Sequence, residues 1–197
     1  MKKNSNLDLN VAIIALYTVV PSWHGAADIS RLMLKYFPSS QKCLFQMVNS
    51  KQNKKLKNII NQNIFYNSPI LKLFFIFFLI KKVVHYCYGK KNNLVIIEGA
   101  SWSFFSYLIV KILRIFVKNI RIIYHSHNVD YEVRKLKNSK FILKLTKIFE
   151  KQLLKISDIN TAVSAVDKKL FKKLYNIDTV ILENGVEKIN NKKLSKN

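Results

Sequence analysis

Apolar runs and segments of helical spacing alternate along this chain, and that alternation restricts the folds open to it. The runs "VAIIALYTVV" (11–20), "KCLFQMV" (42–48), "NLVIIEG" (93–99), "IRIIYHS" (120–126), "DINTAVS" (158–164) and "DTVILENGV" (178–186) read as strands. Between them, "AADISRLMLKYF" (26–37) carries apolar residues at Ile29, Leu32, Met33, Tyr36 and Phe37, the spacing of a helix. Further helices are expected from Ile70 to about Tyr86, over 101–116, from Asn138 to Ile156 and over 165–175. Residues 51–63, "KQNKKLKNIINQN", are polar and basic and show no clear period. Strands that are apolar throughout must be covered on both faces. Alternating with helices, they predict an α/β fold with a doubly wound, mainly parallel, Rossmann-like sheet.

A length of 197 residues suits one domain with its own core. We expect that domain over 1–186. The polar tail 187–197, "EKINNKKLSKN", then reads as a basic tail or a truncated interdomain linker. The N-terminal "MKKNSNLDLNVAIIALYTVVPSW" has a basic start and an apolar run, yet Asp8 precedes the run and no A-x-A site follows. A first buried strand fits it better than a signal peptide.

In doubly wound sheets the working residues lie in loops at the carboxyl ends of the strands. That rule selects Pro21–Gly25, Glu98–Ser101, His125–Asp130 and Glu183–Val186. In the first loop Gly25 precedes a helix whose amides offer an anion site, with His24 and Trp23 beside it; a plain strand-to-helix turn is the simpler reading. In the second, Glu98 either accepts hydrogen bonds from sugar-like hydroxyls or belongs to a turn in which Ser101 caps the next helix. Ser164, three residues before Asp167, forms a near capping box in a loop facing the same cleft. Asn184 and Gly185 form a turn that suits a hinge.

The stretch "YHSHNVD" holds two of the four histidines. The pair is expected to diverge along the strand, so that one ring alone faces the cleft. His127, with Asn128 beside it where strand gives way to loop, is then the working residue, and His125 is packed or bridging. No cysteine or further histidine lies near in sequence, so no metal is expected.

The formal net charge of +23 favours anionic partners: nucleic acid, anionic lipid or phosphorylated groups. Coding drift toward Lys, Asn and Ile is the competing cause. No helix-turn-helix, zinc or RNP-type signature supports nucleic acid. Lys140, Lys144, Lys147, Lys151 and Lys155 fall on one stripe of their helix, either a basic strip for phosphates and lipid or a solvated face. "ILKLFFIFFLI" (70–80) is too short to span a bilayer. In an outer helix some of its phenylalanines should stay exposed, beside Lys81 and Lys82. Cys43 and Cys87 form no CxxC, which suits a reduced cytosolic compartment, with the chain peripheral on the inner face of the cell membrane.

Taken in order, "P-x-x-H-G-A-A", "IIYHSHNVDYE", "FEKQLLKISDINTAVS" and "VILENGVE" resemble the N-terminal, acceptor-side domain of the family-4 glycosyltransferases. These are retaining enzymes of two facing Rossmann-like domains, the GT-B architecture. Glu150, Asp158, Val163, Ser164 and Asn184–Glu187 carry the match. The resemblance implies transfer of a sugar from a nucleotide-sugar to a glycan or lipid-linked acceptor, with no obligatory metal and no cofactor. It places Gly25 near the donor phosphates and His127 near the reacting sugar. Glu98, Asn128 and Ser164, at the same strand ends, are the candidate acceptor contacts from the loop reading. The loop at Gly25 has one glycine where the family often has two. The family's E-x7-E motif and donor domain are not found after Val186, so the chain alone is expected to be inactive. The alternative is a non-catalytic membrane- or partner-binding module that keeps the fold.

Overall fold

The computed structural model describes residues 7–19, 25–48, 60–65, 71–99, 101–136 and 138–183. His24, Asn184, Gly185 and the 187–197 tail, all named above, lie outside the described residues. Seven strands form one sheet: β1 (Leu7–Ala15), β2 (Ser39–Val48), β3 (Ile60–Phe65), β4 (Asn93–Glu98), β5 (Ile120–His125), β6 (Ile159–Ala162) and β7 (Val180–Ile181). Their order is β3-β2-β1-β4-β5-β6-β7, and every pairing is parallel. The chain builds outward from β1 to β3, then returns to the centre to add β4 beside β1. The sheet therefore has its switch point between the carboxyl ends of β1 and β4, where ligands bind in doubly wound folds.

The helices are α1 (Gly25–Tyr36), α2 (Leu71–Cys87), α3 (Ser103–Phe116), α4 (Asp130–Lys135), α5 (Lys140–Ile156) and α6 (Ala165–Tyr175). Strand alternation divides the core into two layers. Val11, Ile13 and Ala15 of β1 join Leu44, Leu94, Ile96 and Leu34 of α1 on one face. Ala12, Ile14, Cys43, Phe45, Val95, Ile97, Ile122 and Tyr124 meet α2, α3, α5 and α6 on the other. All six residues of β4 are buried, as a central strand covered on both sides requires. Both cysteines are buried and free, and burial pushes the Cys43 thiol up to about 12 and the Cys87 thiol to about 11. Neither is poised to react at neutral pH.

Three elements differ from the sequence reading. β3 begins inside the stretch without a clear period and runs two residues beyond it; as an edge strand paired only with β2, it needs no continuous apolar run. Among the described residues of the last expected strand, 178–183, only Val180–Ile181 form strand, both exposed at the opposite edge. Ser101 does not cap α3. The cap position is Trp102, which makes no side-chain cap bond, and the first helical amide, Ser103 N, donates instead to Asp130 Oδ2 at 2.9 Å.

Candidate functional site

At the switch point β1, α1, β4, β5 and β6 bring together a buried polar cluster. Glu98, the last residue of β4, is fully buried, and its Oε2 accepts from Ser30 Oγ of α1 at 2.8 Å. His127 lies just past β5, and its Nε2 meets the same Oε2 at 2.7 Å. The Tyr17 hydroxyl, just past β1, lies 2.7 Å from Ser30 Oγ and 3.5 Å from both Glu98 Oε2 and His127 Nε2. His125 is 1% exposed, and its Nδ1 bonds Thr161 Oγ1 of β6 at 2.7 Å. Burial lowers the His125 pKa, against the opposing pull of Glu98, so the ring is held neutral. Burial, then the Glu98 carboxylate, raises the Tyr17 pKa far above neutrality, so its hydroxyl keeps its proton.

The two histidine rings do not diverge. They touch edge to face, with centroids 4.9 Å apart. Residues two apart along a strand share a face, so the expectation of divergence misread the strand period. His125 is packed and bridging as expected, but within the same cluster as His127. Glu98, His125 and His127 each place a potential ligand atom within 4.8 Å of the others.

Gly99, directly after Glu98, explains how β4 and β5 close so tightly here. Its amide donates to His125 O at 2.8 Å, and a Cβ at this position would lie 2.9 Å from that oxygen and from the Tyr124 ring. Gly25 opens α1, and a Cβ there would meet nothing within 4 Å, so the helix start borders open space. Asn128 is half-buried, its carbonyl accepting from Ser126 Oγ. Ser164 caps α6: its hydroxyl accepts from Asp167 N at 3.1 Å and donates to Asp167 Oδ2 at 2.6 Å. Among the described residues no hydrogen bond joins the Asn128 or Ser164 side chain to the acid–histidine cluster. A hollow of about 810 Å³ lies elsewhere, at the amino ends of the strands beside Asn93, Asn119 and Arg121. The chemistry follows the convergent buried groups rather than that volume.

A second buried network fixes the loop that carries His127. Glu150 of α5 accepts from Asp130 N at 2.7 Å and Tyr131 N at 3.1 Å, the amides that open α4, and from the Tyr175 hydroxyl at 2.5 Å. Asp130 in turn holds Ser103 N and accepts from Arg134 Nε at 2.6 Å. Asp158 accepts from Ile122 N at 2.6 Å and from Arg114 Nη2 at 2.8 Å, tying β5 to α3. The sequence reading missed Tyr17, Ser30, Thr161 and Asp130. Tyr17 and Asp130 sit at carboxyl-end positions that the loop rule reaches; Ser30 and Thr161 carry no signal beyond lying on faces turned inward.

A parallel sheet of this order, with its polar cluster at the switch point, is the architecture of one half of a GT-B glycosyltransferase. The chain belongs to glycosyltransferase family 4: the model of that family, described as Glycosyltransferase Family 4, matches residues 50–188. Among solved structures it is similar to the lipopolysaccharide outer core galactosyltransferase WaaB in its apo form, at 15% identity and a TM-score of 0.60, over 90% of this chain and 46% of that one. It is also similar to sucrose-phosphate synthase from Thermosynechococcus elongatus, at 11% identity and a TM-score of 0.66, over 90% of this chain and 49% of that one. A third is HepE of Anabaena, solved with UDP and glucose, at 11% identity and a TM-score of 0.55, over 90% of this chain and 45% of that one. The chain thus spans about half the length of these structures. No curated protein sequence matches it.

Proposed function

We propose that this chain is the acceptor-binding half of a retaining glycosyltransferase, moving a sugar from a nucleotide-sugar to a glycan or lipid-linked acceptor. The observation that carries this reading is the buried Glu98–His127 pair at the switch point, beside the open start of α1. Glu98 fixes the His127 ring, and His127 contacts the reacting sugar. Asn128 and Ser164 face the acceptor, and the buried Glu98 acts on it through His127. His24 and Gly25 belong to the loop that serves the donor phosphates or the acceptor, and Asn184–Gly185 serves as the hinge to a second domain. A complementing donor domain supplies the nucleotide site, so the chain alone transfers nothing. HepE, solved with UDP and glucose, and WaaB, a galactosyltransferase by name, support the substrate class. Calorimetry of the isolated chain with UDP-, GDP- and ADP-sugars should give no measurable heat of binding. Micromolar affinity for any of them would overturn the division of labour between the halves.

A second reading, a peripheral membrane module in the cytoplasm, draws on α2. Phe74, Phe77 and Phe78 are 63%, 56% and 60% exposed, while Ile76, Leu79, Ile80 and Val83 face the core. Phe78, Lys81, Lys82 and His85 line a groove of about 420 Å³. All five lysines of the α5 stripe are exposed, beside exposed Phe141 and Ile148. Among the described residues no helix is long and apolar enough to cross a membrane. Exposed aromatics beside lysines suit an anionic lipid surface, at about 1 kcal/mol per nearby basic residue. The chain should co-sediment with anionic vesicles at low salt and release at high salt. Equal recovery in the supernatant with anionic and neutral vesicles would remove this reading.

A further inference from the structure

We propose that the outer sides of α2, α3 and α5 form a single lipid-contact surface, which lays the sheet flat on a bilayer of anionic lipid. This rests on the peripheral-membrane reading and adds the face that meets the lipid and the direction in which the cleft then opens. The chain crosses the sheet one way from β1 to β2, and the other way from β3 to β4 and on to β7. Right-handed crossovers therefore place α1 on one face and the helices that follow β3 on the other. The packing matches: Leu34 of α1 joins Val11 and Ile13. Leu79 of α2, Leu113 of α3 and Leu153 of α5 share the opposite cluster with Ile14 and Val95. Within that layer α3 packs against both α2 and α5.

The three helices turn the same chemistry outward. Phe77 of α2, Phe116 of α3 and Phe141 of α5 are 56%, 65% and 68% exposed. Exposed lysines stand among such groups on each helix, at Lys81, Lys111 and Lys144. The one acid in the three helices is Glu150, and it is fully buried. Acids persist at Asp28 in α1, Asp130 and Glu132 in α4 and Asp167 in α6. Coding drift thins acids in every element alike, whereas here, among the described residues, they are missing from the outer sides of these three helices. A water-facing surface of this breadth mixes both signs. Aromatic rings among lysines fit a headgroup region, where the rings insert and the lipid supplies the negative charge. The helices run against the strands, so the carboxyl ends that hold Glu98 and His127 lie at the edge of the contact surface. The cleft then opens along the membrane, where the headgroup of a lipid-linked acceptor reaches it.

The test is site-directed fluorescence on the full chain. Cys43 and Cys87 are buried with raised thiol pKa values, so a cysteine added at the surface takes the label selectively. Phe77→Cys, Phe116→Cys and Phe141→Cys, with Tyr36→Cys of α1 as the opposite face, each carry an environment-sensitive dye. Each is mixed at low salt with vesicles of phosphatidylglycerol and phosphatidylcholine, and co-sedimentation of the same samples reads binding itself. The three positions in the layer should all shift to the blue and be dimmed by a quencher on the lipid chains, while Tyr36→Cys keeps its emission. Where a labelled variant does not fold by circular dichroism, Phe74→Cys, Ile115→Cys or Ile148→Cys replaces it on the same helix. Lys144→Gln and Lys151→Gln together should weaken vesicle partition by about 30-fold. Vesicle binding with a shift at Tyr36→Cys, or with one of the three helices left unshifted, would overturn this surface and leave the membrane reading standing. Recovery of every variant in the supernatant would overturn both, and neither outcome bears on sugar transfer.

Discussion

His127→Ala lowers sugar transfer by about 10²–10⁴-fold once a donor-binding domain completes the enzyme, the range expected for a well-placed catalytic group. His125→Ala changes turnover far less and lowers the melting temperature instead. The contrast follows from placement. His127 Nε2 lies on Glu98 Oε2 at 2.7 Å at the loop side of the cluster, whereas His125 is 1% exposed and tied to Thr161. Turnover numbers for both variants, each confirmed folded, check this. Equal and small losses would reduce the pair to packing.

The second large effect concerns Glu150. Burial pushes its carboxyl from the ordinary 4.5 up to about 7, against the lowering pull of the Tyr175 hydroxyl and the Tyr131 and Asp130 amides. The nearby Asp130 carboxylate adds to the rise; Arg134 is paired with Asp130, and Tyr124 is buried alongside. A raised pKa means that the folded chain holds this proton more tightly than the unfolded chain. The contribution to stability is therefore complete below pH 4.5 and is lost as the pH rises to about 7. The span corresponds to about 3 kcal/mol. His125, with its lowered pKa, acts in the opposite sense, since the unfolded ring gains a proton as the pH falls. Comparison with Glu150→Gln isolates the carboxyl. In urea melts, wild type should lose stability relative to the variant between pH 4.5 and 7 and run parallel to it above. A difference that does not vary with pH, or that grows in favour of wild type, would contradict the assignment.

The order of strands and helices was legible because a buried parallel strand must be apolar throughout, as Val11–Ala15 and Leu94–Ile97 are. Exposure of Phe74, Phe77 and Phe78 followed from an outer helix having one buried face. Edge elements were less legible: β3 and β7 have a partner on one side only, and their sequences need not show it. Glu98 and His127 were found separately, through the rule that strands end at the site. That they meet was not readable, since they lie 29 residues apart and Tyr17, whose hydroxyl lies near both, is 81 residues from Glu98. The Glu150 and Asp158 pattern was visible as part of a resemblance. Its physical content emerged only from the fold: both carboxylates accept backbone amides that anchor the segments before and after the histidine loop.

The central claim is that these residues form one side of a sugar-transfer site completed by a donor domain. The most direct measurement is transfer itself: the chain, fused to or mixed with a family-4 donor domain, is given nucleotide-sugar and acceptor, and the product is read by NMR. The account predicts transfer above that of the donor domain alone, with the anomeric configuration of the donor sugar kept and with His127→Ala abolishing the gain. An inverted product, or transfer that the chain does not increase with any donor domain that binds it, would contradict the account.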